Sequence, residues 1–216
     1  MKRIVYSVMF LAGSIIFMAS CGERPATSDR RAEMPEVAEE VASSNLINAM
    51  ISSVNEMREL ELTGDPDYDF ANLFARHREG GIALAEEQID NGQDVALVEY
   101  AERVQRRNEQ EKEILEEFTS EYTPETQNEA FTNEVNRLID LRESEISHLD
   151  LTGDEDQDFA RAMATHHEHG LRLARLYQNY GRVQELRSMA DEMVEIQESE
   201  LRSLSRYIQQ QEEEDV

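Results

Sequence analysis

From residue 41 to 208, apolar positions recur three and four residues apart in six stretches, the spacing of helices that each bury one face. The first stretch runs from about Val41 to Leu62 and the fourth from Phe131 to Leu151. Each closes on a Thr-Gly pair suited to a helix C-terminus. The second and fifth open on Asp67 and Asp156, where a carboxylate meets the positive end of a helix, and close at Gly92 and Gly181. The third covers Asp94 to about Phe118 and the sixth Val183 to about Ile208, while Tyr122-Thr123-Pro124 breaks the chain midway.

The pattern is written twice. Displaced by 89 positions, Leu60-Glu61-Leu62-Thr63-Gly64-Asp65 aligns with Leu149-Asp150-Leu151-Thr152-Gly153-Asp154, and 20 of the 52 positions from Leu60 to Glu111 are identical to their partners. A three-helix unit leaves part of its apolar surface uncovered, and packing two copies about a pseudo-twofold axis buries it. The expectation is an all-α fold, a ferritin-like helical bundle of two three-helix repeats spanning 41–122 and 123–208, followed by an acidic tail at 209–216 that frays in solvent.

Some polar residues occupy the apolar face. In the fifth helix Phe159, Ala162, Met163, His166, Gly170, Leu173, Ala174 and Tyr177 fall within an arc of roughly 120°, with Asp156 and His167 on its edge. The first copy keeps His77 but has Phe74 for Met163 and Arg78 for His167. The core stripe of the sixth helix, Leu186, Ala190, Met193, Gln197, Glu200 and Leu204, includes an amide and a carboxylate; Asn108 and Glu111 repeat them in the third. Buried polar groups are costly unless paired, and the histidine of the second or fifth helix is the expected partner.

Two explanations stand side by side. His166 with Glu200, and His77 with Glu111, are struts that fix helix register; or imidazole, thioether and carboxylate converge on a metal ion from facing helices. Only the second copy has the fuller ligand set of Met163, His166, His167, Asp156, Gln197 and Glu200. Imidazole with thioether suits Cu(I) or Ag(I), whereas a di-iron site wants several carboxylates with paired Glu-x-x-His spacing. Glu145-Ile146-Ser147-His148 has that spacing once and is read as surface chemistry, and His169 is read as an outer neighbour. Mid-helix glycines Gly80, Gly81 and Gly170 are read as points of close helix approach, or else as room for a pocket beside the histidine. No catalytic nucleophile with its base, phosphate loop or dinucleotide fingerprint is recognisable, so no enzyme activity is expected.

The rest of the composition changes the picture at the N-terminus. Lys2 and Arg3 precede an apolar run from Ile4 to Met18, too short to span a bilayer and read as a signal peptide over 1–20. Met18-Ala19-Ser20-Cys21 resembles the lipobox of bacterial lipoproteins and places the only cysteine as a lipidated first residue, an anchor to a membrane of the cell envelope. A Pro-, Ser- and charge-rich stretch over 21–40 reads as a tether. The net charge is −26, from 21 basic and 47 acidic side chains, which repels phosphate backbones and excludes nucleic acid as a partner.

Asp156-x-x-Phe159-x-x-x-Met163-x-x-His166-His167-Glu168, with Ala190 and Gln197-x-x-Glu200, resembles the family called domain of unknown function 305, in tandem over residues 41–208. The resemblance implies a ferritin-like helical fold, export, and for some members copper binding. It maps the family's functional positions to Asp156, Met163, His166, His167, Gln197 and Glu200. Leu173 and Leu204 stand where the family usually has further methionines. The resulting expectation is an exported lipoprotein that sequesters or handles a soft metal ion, copper first; the alternative is a tethered helical scaffold that binds another protein and no metal.

Overall fold

The computed structural model describes residues 36–214, with side chains over 45–213, so the expected signal peptide, Cys21 and most of the tether lie outside the described residues. The described chain is all helix and turn: α1 (Glu36–Arg58), α2 (Pro66–Asn91), α3 (Val95–Glu121), α4 (Glu129–Ser147), α5 (Glu155–Tyr180) and α6 (Gln184–Glu214). No helix among the described residues is long and apolar enough to cross a membrane. The two repeats are α1–α3 and α4–α6. Helices α2 and α5 lie at the centre, packed on each other and on the remaining helices of their own repeats, and α1 also contacts α4 and α5.

The Leu-Thr-Gly-Asp segments work differently from the expected helix ends. Helix α1 stops at Arg58 and α4 at Ser147, and the Thr-Gly pairs belong to the start of the next helix. Asp69, in the first turn of α2, accepts from Thr63 N and Oγ1 at 2.9 and 2.8 Å and from Gly64 N at 2.8 Å. Asp65 is the N-cap, accepting from Asp67 N and Tyr68 N. Asp158 and Asp154 repeat these bonds at α5. Gly64 and Gly153 sit at φ 84° and 89°, a backbone that side chains resist, which explains why glycine recurs there. At the far end, α6 continues as helix to Glu214 through the stretch expected to fray, and Arg161 on α5 holds it by an ion pair with Glu212 at 2.8 Å.

The repeats are clasped to each other by their first-turn aspartates. Asp67 of α2 accepts from Tyr177 Oη at 2.7 Å and from Arg182 N and Val183 N in the α5–α6 turn. Asp156 of α5 accepts from Gln88 Nε2 at 2.6 Å and from Gln93 N and Asp94 N in the α2–α3 turn. Each carboxylate thus holds the turn that leads into the third helix of the other copy. Around this frame the buried residues form one apolar core, with Phe70 stacked on Tyr177 at 4.0 Å between ring centroids.

Candidate metal centre

The bundle centre is a polar layer within the apolar core. His77, Arg78, Asn108, Arg142, His166, His167, His169 and Gln197 are all buried. His77 and His166, one from each repeat, stack with ring centroids 3.9 Å apart and planes 3° from parallel. The mid-helix glycines make room for this layer. A Cβ at Gly170 would lie 2.5 Å from His77 Nε2 and 2.7 Å from Gln197 Oε1, and one at Gly81 would lie 2.4 Å from Asn108 Nδ2 and 2.8 Å from His166 Nε2. What approaches these two glycines is therefore an imidazole of the other repeat and an amide of its own, rather than a helix backbone. Gly80 instead faces Ser53 of α1.

His166 is held as a part of this architecture. Its Nδ1 lies 3.4 Å from Arg142 Nη2, and because a guanidinium only donates, Nδ1 is the acceptor and Nε2 carries the proton. The expected strut from His166 to Glu200 is absent; so is the one from His77 to Glu111. Glu111 instead pairs with Arg78. Glu200 receives Arg107 in a two-point contact at 2.8 and 2.9 Å and lies 3.2 Å from His167 Nε2. Arginine outcompetes the neutral imidazole for these half-buried carboxylates because it brings a full charge and a fork of donors.

His167 is the residue with ligand geometry. Its Nε2 shares a hydrogen bond with Tyr100 Oη at 2.7 Å and stands 3.2 Å from Glu200 Oε2. Nδ1 on the other side of the ring is buried and has no hydrogen-bond partner. A metal-ligating imidazole commonly has its other nitrogen held by a carboxylate in this way. Met163, fully buried, precedes His167 by one helical turn on the same face of α5. The second repeat holds both where the first has Phe74 and Arg78, and in that first repeat Arg78 lies over the Phe74 ring at 4.6 Å.

The other expected ligands are placed less favourably. Asp156 faces the α2–α3 turn, its carboxylate occupied by the clasp, more than two helical turns from His167. Gln197 is buried with both amide atoms unpartnered, against Gly170 and His77. Glu200 orients His167 and is already neutralised by Arg107. His169, expected at the periphery, is fully buried with its ring 5.5 Å from His77, and both rings have two unpartnered nitrogens. Tyr100, Arg107 and Arg142 were not expected. Only Arg142 has a local sequence signal, as the charged member of the α4 stripe Phe131, Val135, Ile139, Arg142, Ile146.

Burial holds the pKa of all four core histidines well below the usual imidazole value, and nearby arginines deepen the shift; at His77 the neighbouring His166 and His169 act before them. The rings are neutral at physiological pH. Burial also lowers Arg78 and Arg142 to about 10, and both remain cations. Among the described residues no group of three or more His, Cys, Asp and Glu side chains is placed to hold a metal ion. By their chemistry, thioether and neutral imidazole are donors for a soft ion, and the layer lacks the oxygen cage that a hard ion needs.

No curated protein and no solved structure matches the chain. Residues 18–119 and 120–208 each match the family described as Domain of unknown function (DUF305), so the chain belongs to that family and carries two copies of it.

Proposed function

We propose that the protein binds a soft monovalent cation, Cu(I) first, at the second repeat, with Met163 Sδ and His167 Nδ1 as the primary donors and Gln197 within the same buried layer. The observation that carries this reading is the state of His167: Nε2 is bonded to Tyr100 beside Glu200, and Nδ1 is buried and unpartnered. Bound there, the ion would be shielded from water and from oxidants, which suits sequestration or handling rather than turnover. Arg78 and Arg107 are paired with Glu111 and Glu200, and Arg142 leaves the layer with a positive charge, which disfavours divalent ions more than a monovalent one. We further propose that the chain is exported and lipid-anchored through Cys21, on the strength of Met18-Ala19-Ser20-Cys21. Lipid labelling should then disappear in Cys21→Ser while the fold of the helical region is unchanged.

The test is anaerobic Cu(I) titration against a chromogenic chelator. Binding of about one ion per chain is expected, lost in Met163→Leu combined with His167→Ala and retained in His148→Ala, whose ring is exposed. Stoichiometric binding that survives the double change sinks this assignment. One observation favours a second reading, a scaffold that engages another protein without metal. The α1–α4 interface contains an apolar groove of about 250 Å³ lined by Ile47, Ile51, Val54 and Ile146, with Ile51 exposed. That reading predicts no Cu(I) affinity beyond that of the acidic surface.

A further inference from the structure

A cleft of about 380 Å³ opens between α3 of the first repeat and α6 of the second, with Leu97, Tyr100, Leu204 and Tyr207 on its walls. The two helices each pack on the central helix of their own repeat rather than closely on each other. Tyr100 is fixed as a wall by the bond of its Oη to His167. The charge at this cleft is unlike that of the rest of the surface. The chain has 47 acidic against 21 basic side chains, and the exposed arginines Arg58, Arg106, Arg137, Arg175, Arg182 and Arg202 all pair with carboxylates. Among the described residues the exposed arginines outside such pairs are Arg103, which lines the cleft, and Arg206, which donates to Ser203 Oγ on the cleft wall at 3.3 Å. At the equivalent positions 89 residues away both are glutamates, Glu192 and Glu117.

The carboxylates of the lining leave these two guanidinium groups uncancelled. Glu200 is taken by Arg107 at 2.8 and 2.9 Å. Asp94 caps α3 by accepting from Ala96 N and Leu97 N, and stands about 13 Å from Arg103 along the helix axis. We propose that the cleft binds a small amphipathic anion, an organic carboxylate on an alkyl or aryl body. The body lies against Leu97, Leu204 and the two tyrosine rings, and the charged end is taken by Arg103 and Arg206. Burial of apolar surface supplies the affinity. The guanidinium forks, which match a carboxylate in shape and charge, select the anion against the repulsion of an acidic surface. The site is separate from the proposed metal donors Met163 and His167, which lie outside its lining.

Isothermal titration of the purified protein with naphthoate, decanoate, naphthylmethanol and naphthylmethylamine tests this site. Naphthoate should bind about tenfold tighter than the neutral alcohol of the same body, a preference that shrinks as salt rises. Arg103→Gln with Arg206→Gln, both at exposed positions, should erase that preference and leave the affinity for the alcohol unchanged. Tyr207→Ala should weaken both ligands. Arg137→Gln, an exposed position on α4, is the control and should change neither. Naphthoate bound tighter than decanoate identifies the body as aryl and the reverse as alkyl, and either supports the site. The proposal is overturned if the parent binds neither carboxylate, if the amine binds tighter than naphthoate, or if the preference for naphthoate over the alcohol survives the double change.

Discussion

At the scale of single residues, the identity of a side chain here says less than the state its neighbours impose on it. His166 and His167 are adjacent in sequence and equally buried, yet Arg142 takes the lone pair at Nδ1 of the first, while the second is bonded at Nε2 to Tyr100 beside Glu200 and keeps Nδ1 unpartnered. The four buried histidines also make stability depend on pH. The unfolded chain takes up protons near pH 6.5, whereas the folded protein resists protonation well below that value. Their contribution is complete above about pH 7 and is lost as pH falls, by up to about 1.4 kcal/mol per pH unit for each histidine. Urea midpoints should therefore drop steeply between pH 7 and 5, and His169→Phe should flatten the drop; a midpoint independent of pH over that range contradicts the buried neutral layer.

Glu155 shifts the other way. Half-buried near Glu87, Asp158, Asp156 and Asp154, it is pushed up to about 7, chiefly by burial. Its ionisation opposes the fold once pH rises above the ordinary carboxylate range. Glu155→Gln should raise the melting temperature at pH 8 and do little at pH 5. An equal effect at both pH values would show that packing, and not charge, matters there.

At the scale of the elements, helix content, the duplication and the apolar faces are legible in the sequence because they follow from spacing within one stretch of chain. What is not legible arises between stretches. The Thr-Gly pairs have the composition of a helix C-terminus, but the carboxylate that binds their N–H groups lies ahead of them, in Asp69 and Asp158. Tyr100 and Arg107 reach His167 and Glu200 from 67 and 93 residues away, in the other copy. Aligning the copies compares equivalent positions, whereas the contacts join inequivalent ones. Gly170 and Asp156 give direct checks of the helix contacts. Gly170→Ala forces a methyl against His77 and Gln197 and should cost about 1–3 kcal/mol in chemical denaturation. Asp156→Ala removes the acceptor of Gln88 and of two turn N–H groups and should cost about 2 kcal/mol or more, without directly removing a cation donor.

At the scale of the whole molecule, the two repeats have diverged in chemistry while keeping their geometry. Asp67 and Asp156 exchange clasps, His77 and His166 stack on each other, and Gly81 and Gly170 accommodate the partner's imidazole. Neither repeat completes this layer alone, so a chain of residues 123–214 should lack a cooperative melting transition as a monomer. A sharp, concentration-independent transition in that piece contradicts an interlocked bundle. Against the shared frame, Phe74 and Arg78 of the first copy become Met163 and His167 of the second, and the proposed site consists of that difference.

The frame itself supplies the most direct test. Met163→Phe with His167→Arg writes the first repeat's residues into the second, at positions where that fold already holds a phenylalanine and an arginine paired to its glutamate. Anaerobic Cu(I) titration should show about one ion bound per parent chain and none by this variant, with its circular dichroism unchanged. Equal Cu(I) binding by a folded variant would contradict the account.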